Sequence, residues 1–303
     1  MSESRTDDDA ARWADMFPGV EWRVDEGLSR SLHSLNNHVT VLVDAATGER
    51  FVARVPNAAT AGALGVRRDE ELRAIDAACA AGLTPAPRSV TADGALLTPF
   101  VDAVGDWAPG GWVSDRGLAL LRRLLDCPAP DNLPSTTQRI ERMLGAVRSP
   151  QAFGIDAPAV ASTLAAIGDE RARDRRYPAC LAHLDLWANN VIDAGDRLWI
   201  VDFEFASAGD GWVDLAIVTA DAGLDDDGRA ALLRAVGRRG DAEDLRALGQ
   251  GRWLFHAFEM LWGALMAEQG EAREHQGGTF DYGAHARRVA ADLDGLIHNF
   301  DLG

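Results

Sequence analysis

The feature that most constrains this chain lies between residues 183 and 204, where three polar side chains are spaced through otherwise apolar sequence. His183-Leu184-Asp185-Leu186-Trp187-Ala188-Asn189-Asn190 is followed by the apolar run Leu198-Trp199-Ile200-Val201, which ends on Asp202-Phe203-Glu204. An acid, an amide and a second acid must here coincide in register with apolar strands on both sides, which surface caps and turns do not require. The residue types suit phosphoryl transfer, a reaction that asks a protein for positioning and charge neutralisation more than for covalent work. Asp185 can orient an acceptor hydroxyl and take its proton. Asn190 and Asp202 offer the hard oxygens that magnesium accepts while it keeps waters and nucleotide phosphates as its other ligands.

The order H-x-D-x-x-x-x-N followed by apolar-D-F-E resembles the catalytic and metal-binding segments of the aminoglycoside phosphotransferase and choline kinase superfamily. Gly211-Trp212-Val213-Asp214-Leu215-Ala216 resembles the D-L-A segment that opens that superfamily's next helix. The resemblance implies a protein-kinase-like α+β fold in two lobes. Residues 1–101 would form a small N-terminal lobe with an antiparallel sheet and one helix, and residues 102–303 a larger, mostly helical lobe. It also implies ATP and Mg2+ as cofactors, Asp185 as catalytic base, Asn190 and Asp202 as magnesium ligands, and His183 as a brace for the loop.

The rest of the chain agrees with strands early and helices late, an α+β pattern. Trp22–Val24, His38–Val43 and Arg50–Val55 read as strands, the last two joined by Ala45-Ala46-Thr47-Gly48 as a hairpin. The polar loop before the hairpin falls where the superfamily covers nucleotide phosphates, so Ser31, Ser34 and Asn36 are candidate phosphate contacts. Arg54 occupies the place of the phosphate-binding cation, and a guanidinium can bridge two phosphate oxygens. Arg67–Ala81 reads as a helix ending at Gly82, with Glu71, or its neighbour Glu70, as the acid that would hold Arg54. Pro99 and Val101 mark the hinge, where adenine would meet backbone groups. Downstream, Ser114 caps a helix over 115–125 and Ser135 with Gln138 forms a capping box. Further helices are expected over 158–173, 212–222, 226–239, 242–268 and 282–297.

The acceptor is read from resemblance to the choline and ethanolamine kinase branch. Asp202-Phe203-Glu204-Phe205-Ala206, the aromatic helix Arg252–Gly263 and Phe280-Asp281-Tyr282 point to a pocket of Glu204, Phe205, Trp262 and Tyr282 that would hold an ammonium group through cation–π contacts. Phe205 replaces the usual tyrosine, and Leu265 the second tryptophan of a W-x-x-W pair. Thiamine or an aminoglycoside-type antibiotic therefore stays open as acceptor. So do core packing of these aromatics and a non-catalytic nucleotide-binding pseudokinase.

Composition sets the remaining bounds. The formal charge is -17, and all 30 basic residues are arginine, so no lysine can neutralise the nucleotide phosphates. No basic stripe with interleaved aromatics favours nucleic acid as a partner, and no apolar run reaches the length of a membrane span. The acidic stretch Ser2–Asp9 does not read as a secretory signal. Cys79, Cys127 and Cys180 are widely separated and are expected to be buried, without disulfides, in a cytoplasmic protein.

Overall fold

The computed structural model describes residues 12–29, 37–174, 177–270, 273–275 and 278–297, which fall into two units. The first comprises the described residues up to Ala61 together with Pro85–Asp102. Its strands are β1 (Trp22–Val24), β2 (Asn37–Asp44), β3 (Arg50–Pro56), β4 (Ser89–Val90) and β5 (Leu96–Pro99). They form one antiparallel sheet in the order β1-β2-β3-β5-β4.

The expected hairpin is β2–β3, with Val41 opposite Val52. Its turn is set by Asp44, whose Oδ1 accepts from Ala46 N at 2.8 Å and Thr47 N at 3.2 Å. A short polar side chain closing on the backbone two residues on is how Asp begins a turn. Trp13, Phe17, Trp22, Leu42, Phe51 and Leu97 form this unit's core. Residues 26–29 are helical where a polar loop is expected, because Asp25 caps them through Leu28 N.

The second unit holds Gly62–Thr84 and the chain from Ala103. Its helices are α1 (Arg68–Ala80), α2 (Asp115–Leu125), α3 (Thr136–Ala146), α4 (Ala157–Arg173), α5 (Trp212–Asp221), α6 (Asp226–Ala235), α7 (Ala242–Glu268) and α8 (Tyr282–Ile297). Both expected caps are present: Ser114 accepts from Gly117 N, and Ser135 and Gln138 form the capping box.

Helix α1, which a contiguous division near residue 102 gives to the N-terminal lobe, packs with the larger unit. The reason is Glu70. This buried residue pairs with Arg139 at 3.2 Å and Arg142 at 2.8 Å, both on α3. Helix α7 is apolar around most of its circumference and therefore buried, with Trp253, Leu254, Ala257 and Leu261 enclosed. It crosses α5 at Gly251, where a Cβ would stand 2.3 Å from the Trp212 carbonyl.

Three small sheets complete the unit: β6 (Gly105–Asp106) with β8 (Val191–Asp193) and β9 (Leu198–Ile200), β7 (Cys180–Ala182) with β10 (Ser207–Gly209), and β11 (Arg273–His275) with β12 (Gly278–Phe280). Strands of two or three residues leave too little periodicity to be read one by one from sequence. Cys127 and Cys180 are buried, as expected, whereas Cys79 on α1 is only half-buried. Among the described residues no helix is long and apolar enough to cross a membrane.

Candidate active site

The loop from His183 to Asn190 leaves β7 and is closed by its own hydrogen bonds. Trp187 N donates to the Asp185 carbonyl at 3.0 Å and Asn190 N to the Trp187 carbonyl at 3.0 Å. Val201 N then donates to the Asn190 carbonyl at 3.0 Å. His183 is fully buried, edge-on to Phe203. Its Nδ1 accepts from Asp185 N at 3.2 Å, and its Nε2 faces the Val201 carbonyl at 2.9 Å. One ring nitrogen must accept and the other donate, so the imidazole is the neutral Nε2–H tautomer. Burial pushes its pKa down to about 4 in keeping with that state. The side chain joins the two motifs and does not titrate near neutrality.

Two of the turns depend on backbone conformations that bulky residues avoid. Leu184 has φ 67° and Asp202 φ 69°, both left-handed. At Leu184 the compensation is visible: Asp214, fully buried at the start of α5, accepts from His183 N and Leu184 N at 2.8 Å each. Burial raises the Asp214 carboxyl to about 7, and the two N–H donors oppose that rise.

Asp185, Asn190 and Asp202 are brought together. Asn190 Nδ2 donates to the Asp185 carbonyl at 2.7 Å and to Asp185 Oδ2 at 2.9 Å. The amide's donor end is thereby committed to Asp185, which leaves its oxygen as the end available to a cation. Burial first, then the charge of Asp202, push the Asp185 carboxyl up to about 8, with Glu204 and Glu259 adding to the rise. The charges that act on Asp185 are thus acidic, an arrangement that bound positive charge would stabilise.

The donor set fits magnesium. Asn190 and Asp202 supply one amide and one carboxylate, both hard-oxygen donors. That agrees with an ion that takes one or two protein ligands and completes its shell with phosphates and water.

The other expected residues lie as follows. Arg54 is half-buried on β3 opposite Leu96, Pro99 is exposed at the end of β5, and Val101 is half-buried beyond it. Ser31, Ser34 and Asn36 lie outside the described residues. Glu71 is buried on α1 in an ion pair with Arg68. Glu204 and Phe205 are buried, with Phe205 edge-on to Phe258 at 5.0 Å. Tyr282 is buried against half-buried Trp262, their rings 5.2 Å apart, and Phe280 and His285 pack on the same tryptophan.

Sequence reasoning missed three acids. Asp214 stands in the Gly211–Ala216 segment, but nothing local marks it as the clamp on His183 and Leu184. Glu259, whose carboxyl burial pushes up to about 7, acts on Asp185 from α7. Its i, i+3 spacing to Trp262 was the available signal. Asp221, at the end of α5, accepts from Ala188 N at 3.0 Å and from Trp112 Nε1 at 2.8 Å through the same oxygen. No local pattern marks that bridge.

Known proteins share this architecture. Among the solved structures similar to it is a choline/ethanolamine kinase family protein from Mesorhizobium loti, at 18% identity over 96% of this chain and 94% of that one, with TM-score 0.68. The choline kinase LicA from Streptococcus pneumoniae matches at 14% identity over 96% and 99%, with TM-score 0.70. The streptomycin–ATP ternary complex of APH(2")-IIa matches at 12% identity over 97% and 98%, with TM-score 0.57. At these identities the likeness shows the fold, which is the kinase-like α+β fold expected from the motifs. No curated protein sequence matches significantly. The sequence pattern of the APH phosphotransferase enzyme family, however, matches residues 30–252 and spans both motifs. With Asp185, Asn190 and Asp202 gathered on one loop and turn, the chain belongs to the phosphotransferase enzyme family.

Proposed function

We propose that this protein is an ATP- and magnesium-dependent small-molecule kinase that phosphorylates a hydroxyl group, with a choline-like amino alcohol as the acceptor class. The observation that carries the proposal is the geometry at Asp185: an acid held by Asn190 Nδ2 at 2.9 Å, on the loop that His183 joins to the Asp202 turn. A carboxylate fixed in one orientation is what proton removal from an alcohol requires.

In this reading Asp185 accepts the acceptor's hydroxyl proton, and Asn190 holds the carboxyl in place. Asn190 and Asp202 would hold magnesium, which when bound supplies charge neutralisation of the nucleotide phosphates. Arg54 is assigned to phosphate binding, and Pro99 and Val101 to the nucleotide base. The choline kinase LicA has been solved with AMP and APH(2")-IIa with ATP, which supports a nucleotide as co-substrate here. Trp262 and Glu259 on one face of α7, with Phe280 and Tyr282 against Trp262, support an ammonium-bearing acceptor, since aromatic faces and a carboxylate attract such a cation.

The test is transfer of label from γ-labelled ATP to choline, ethanolamine, thiamine and an aminoglycoside, each with wild type and Asp185→Asn. Transfer to choline or ethanolamine that the variant abolishes is the expected result. Transfer to none, with equal nucleotide binding in both proteins, makes the chain a non-catalytic binding protein. Transfer to thiamine or the antibiotic alone replaces the acceptor.

A further inference from the structure

A cavity of about 750 Å³ in the larger unit opens beside the loop that carries Asp185, and the pocket assigned above does not use it. Trp107 and Trp187 line it, together with Asp106, Asp221 and the backbone of Ala188 and Asn189. Its wall begins two residues after Asp185 in the chain.

This wall is built rather than incidental. Strand β6 pairs with β8, setting Asp106 opposite Ile192, so that Trp107 follows directly on the strand. The Trp107 indole lies against Gly111, where a Cβ would stand 2.6 Å from the ring, and no residue other than glycine leaves it that seat. Trp112 meets Trp107 edge-on at 6.2 Å and donates to Asp221, which also holds Ala188 N. One connected set of contacts therefore fixes both the tryptophan wall and the backbone next to Asn190. The Cε2–Cζ2 edge of the Trp107 indole is the one seated on Gly111, so its flat face is the surface left to line the cavity.

We infer that this cavity receives the distal part of the acceptor, and that this part is a ring-bearing, cationic body rather than the bare head of a small amino alcohol. The inference rests on the kinase reading above and narrows its acceptor class. About 750 Å³ lies within the range of roughly 300–1,000 Å³ typical of pockets for drug-sized ligands. Two indoles offer flat apolar faces, and the carboxylates of Asp106 and Asp221 disfavour an anion and suit a cation. By contrast Phe205 and Glu204 are buried, whereas Trp107 and Trp187 are half-buried and line an open cavity.

The experiment is calorimetric titration of choline and of its N-benzyl analogue, which carries the same hydroxyethyl end, into the full-length protein saturated with magnesium and a non-hydrolysable ATP analogue. The benzyl compound is expected to bind roughly ten-fold more tightly than choline. Trp107→Ala should remove that advantage, and so should Gly111→Ala, which unseats the indole without deleting it. Both should leave affinity for the ATP analogue within about two-fold, and Trp107→Phe should keep most of the benzyl preference. Equal affinity of the two compounds in wild type overturns the inference. So does a Trp107→Ala effect that falls on the ATP analogue, which would make the cavity part of the nucleotide's site. Because binding is read without turnover, failure here is distinct from failure of the kinase reading, which shows as absence of labelled product.

Discussion

Asp214 accepts the backbone N–H of Leu184 at 2.8 Å while Leu184 stands at φ 67°, a left-handed conformation for a large buried side chain. Such a conformation costs on the order of 1–2 kcal/mol for a residue with a Cβ. The same carboxylate takes His183 N, so a single acid sets the direction in which the chain enters the turn that presents Asp185. Asp214→Ala leaves two buried N–H groups without an acceptor, at about 1–3 kcal/mol each. A loss of unfolding free energy of that order is expected from urea titration, and loss of activity beyond it in the protein that still folds. Unchanged stability would show that the two bonds are not needed to hold the turn.

Asp185→Asn is expected to lower kcat by roughly 10²–10⁴-fold, the usual contribution of a general base. Nucleotide affinity, measured separately by titration, should be retained, because the substitution keeps the shape and removes only the proton acceptor. Equal loss of both would place Asp185 among the groups that hold nucleotide.

Asp202→Asn should raise the magnesium concentration needed for half-maximal activity, on the order of 10–100-fold. Asparagine tolerates the left-handed φ of 69° at this position, so folding is expected to be preserved. Thermal melting with and without magnesium separates the two effects. Wild type should gain stability from the metal with nucleotide, and the variant should gain little.

The contribution of three raised carboxyls to the stability of the ligand-free protein should fall as pH rises from about 4 to about 8, while His183, lowered to about 4, opposes it below about pH 6.5. Asp185, raised to about 8, and Asp214 and Glu259, raised to about 7, keep protons in the folded state. Unfolded carboxyls release theirs near pH 4, so in this window the native state binds more protons at these three groups and their part of the slope of stability against pH is negative. The general acidity of the chain pulls the same way. The diagnostic is therefore the difference: Asp185→Asn should flatten the melting temperature profile between pH 5 and about 8.5. A profile parallel to wild type would contradict the assignment.

The buried pair of Glu70 and Arg139 ties α1 to α3, and Arg139 Nη2 also donates to the Ala206 carbonyl at 2.7 Å, just after the Asp202 turn. Glu70→Gln leaves a buried guanidinium without its counter-charge, a change that costs about 3–5 kcal/mol. Replacing both residues with apolar side chains of similar size is expected to recover most of that loss. A single-variant loss no larger than that of a surface pair would show that the bridge is relaxed by solvent.

What the sequence determined by itself was local. The bounds of α7 and α8, the caps at Ser114 and Ser135, the hairpin from β2 to β3 and the order of Asp185, Asn190 and Asp202 are all carried by residues a few positions apart. Helical and strand periodicity, turn chemistry and motif spacing act over that range and can be read there. The tertiary structure decided which distant groups meet. Glu259 acts on Asp185 from α7, Asp214 clamps a turn thirty residues before it, and Trp112 reaches Ala188 only through Asp221. It also committed Glu70 to Arg139 and Arg142 while Glu71 pairs with Arg68. These pairings follow from how the helices of the larger unit pack. Burial then shifts the acids and fixes the neutral histidine, and neither effect exists until the chain has closed around them.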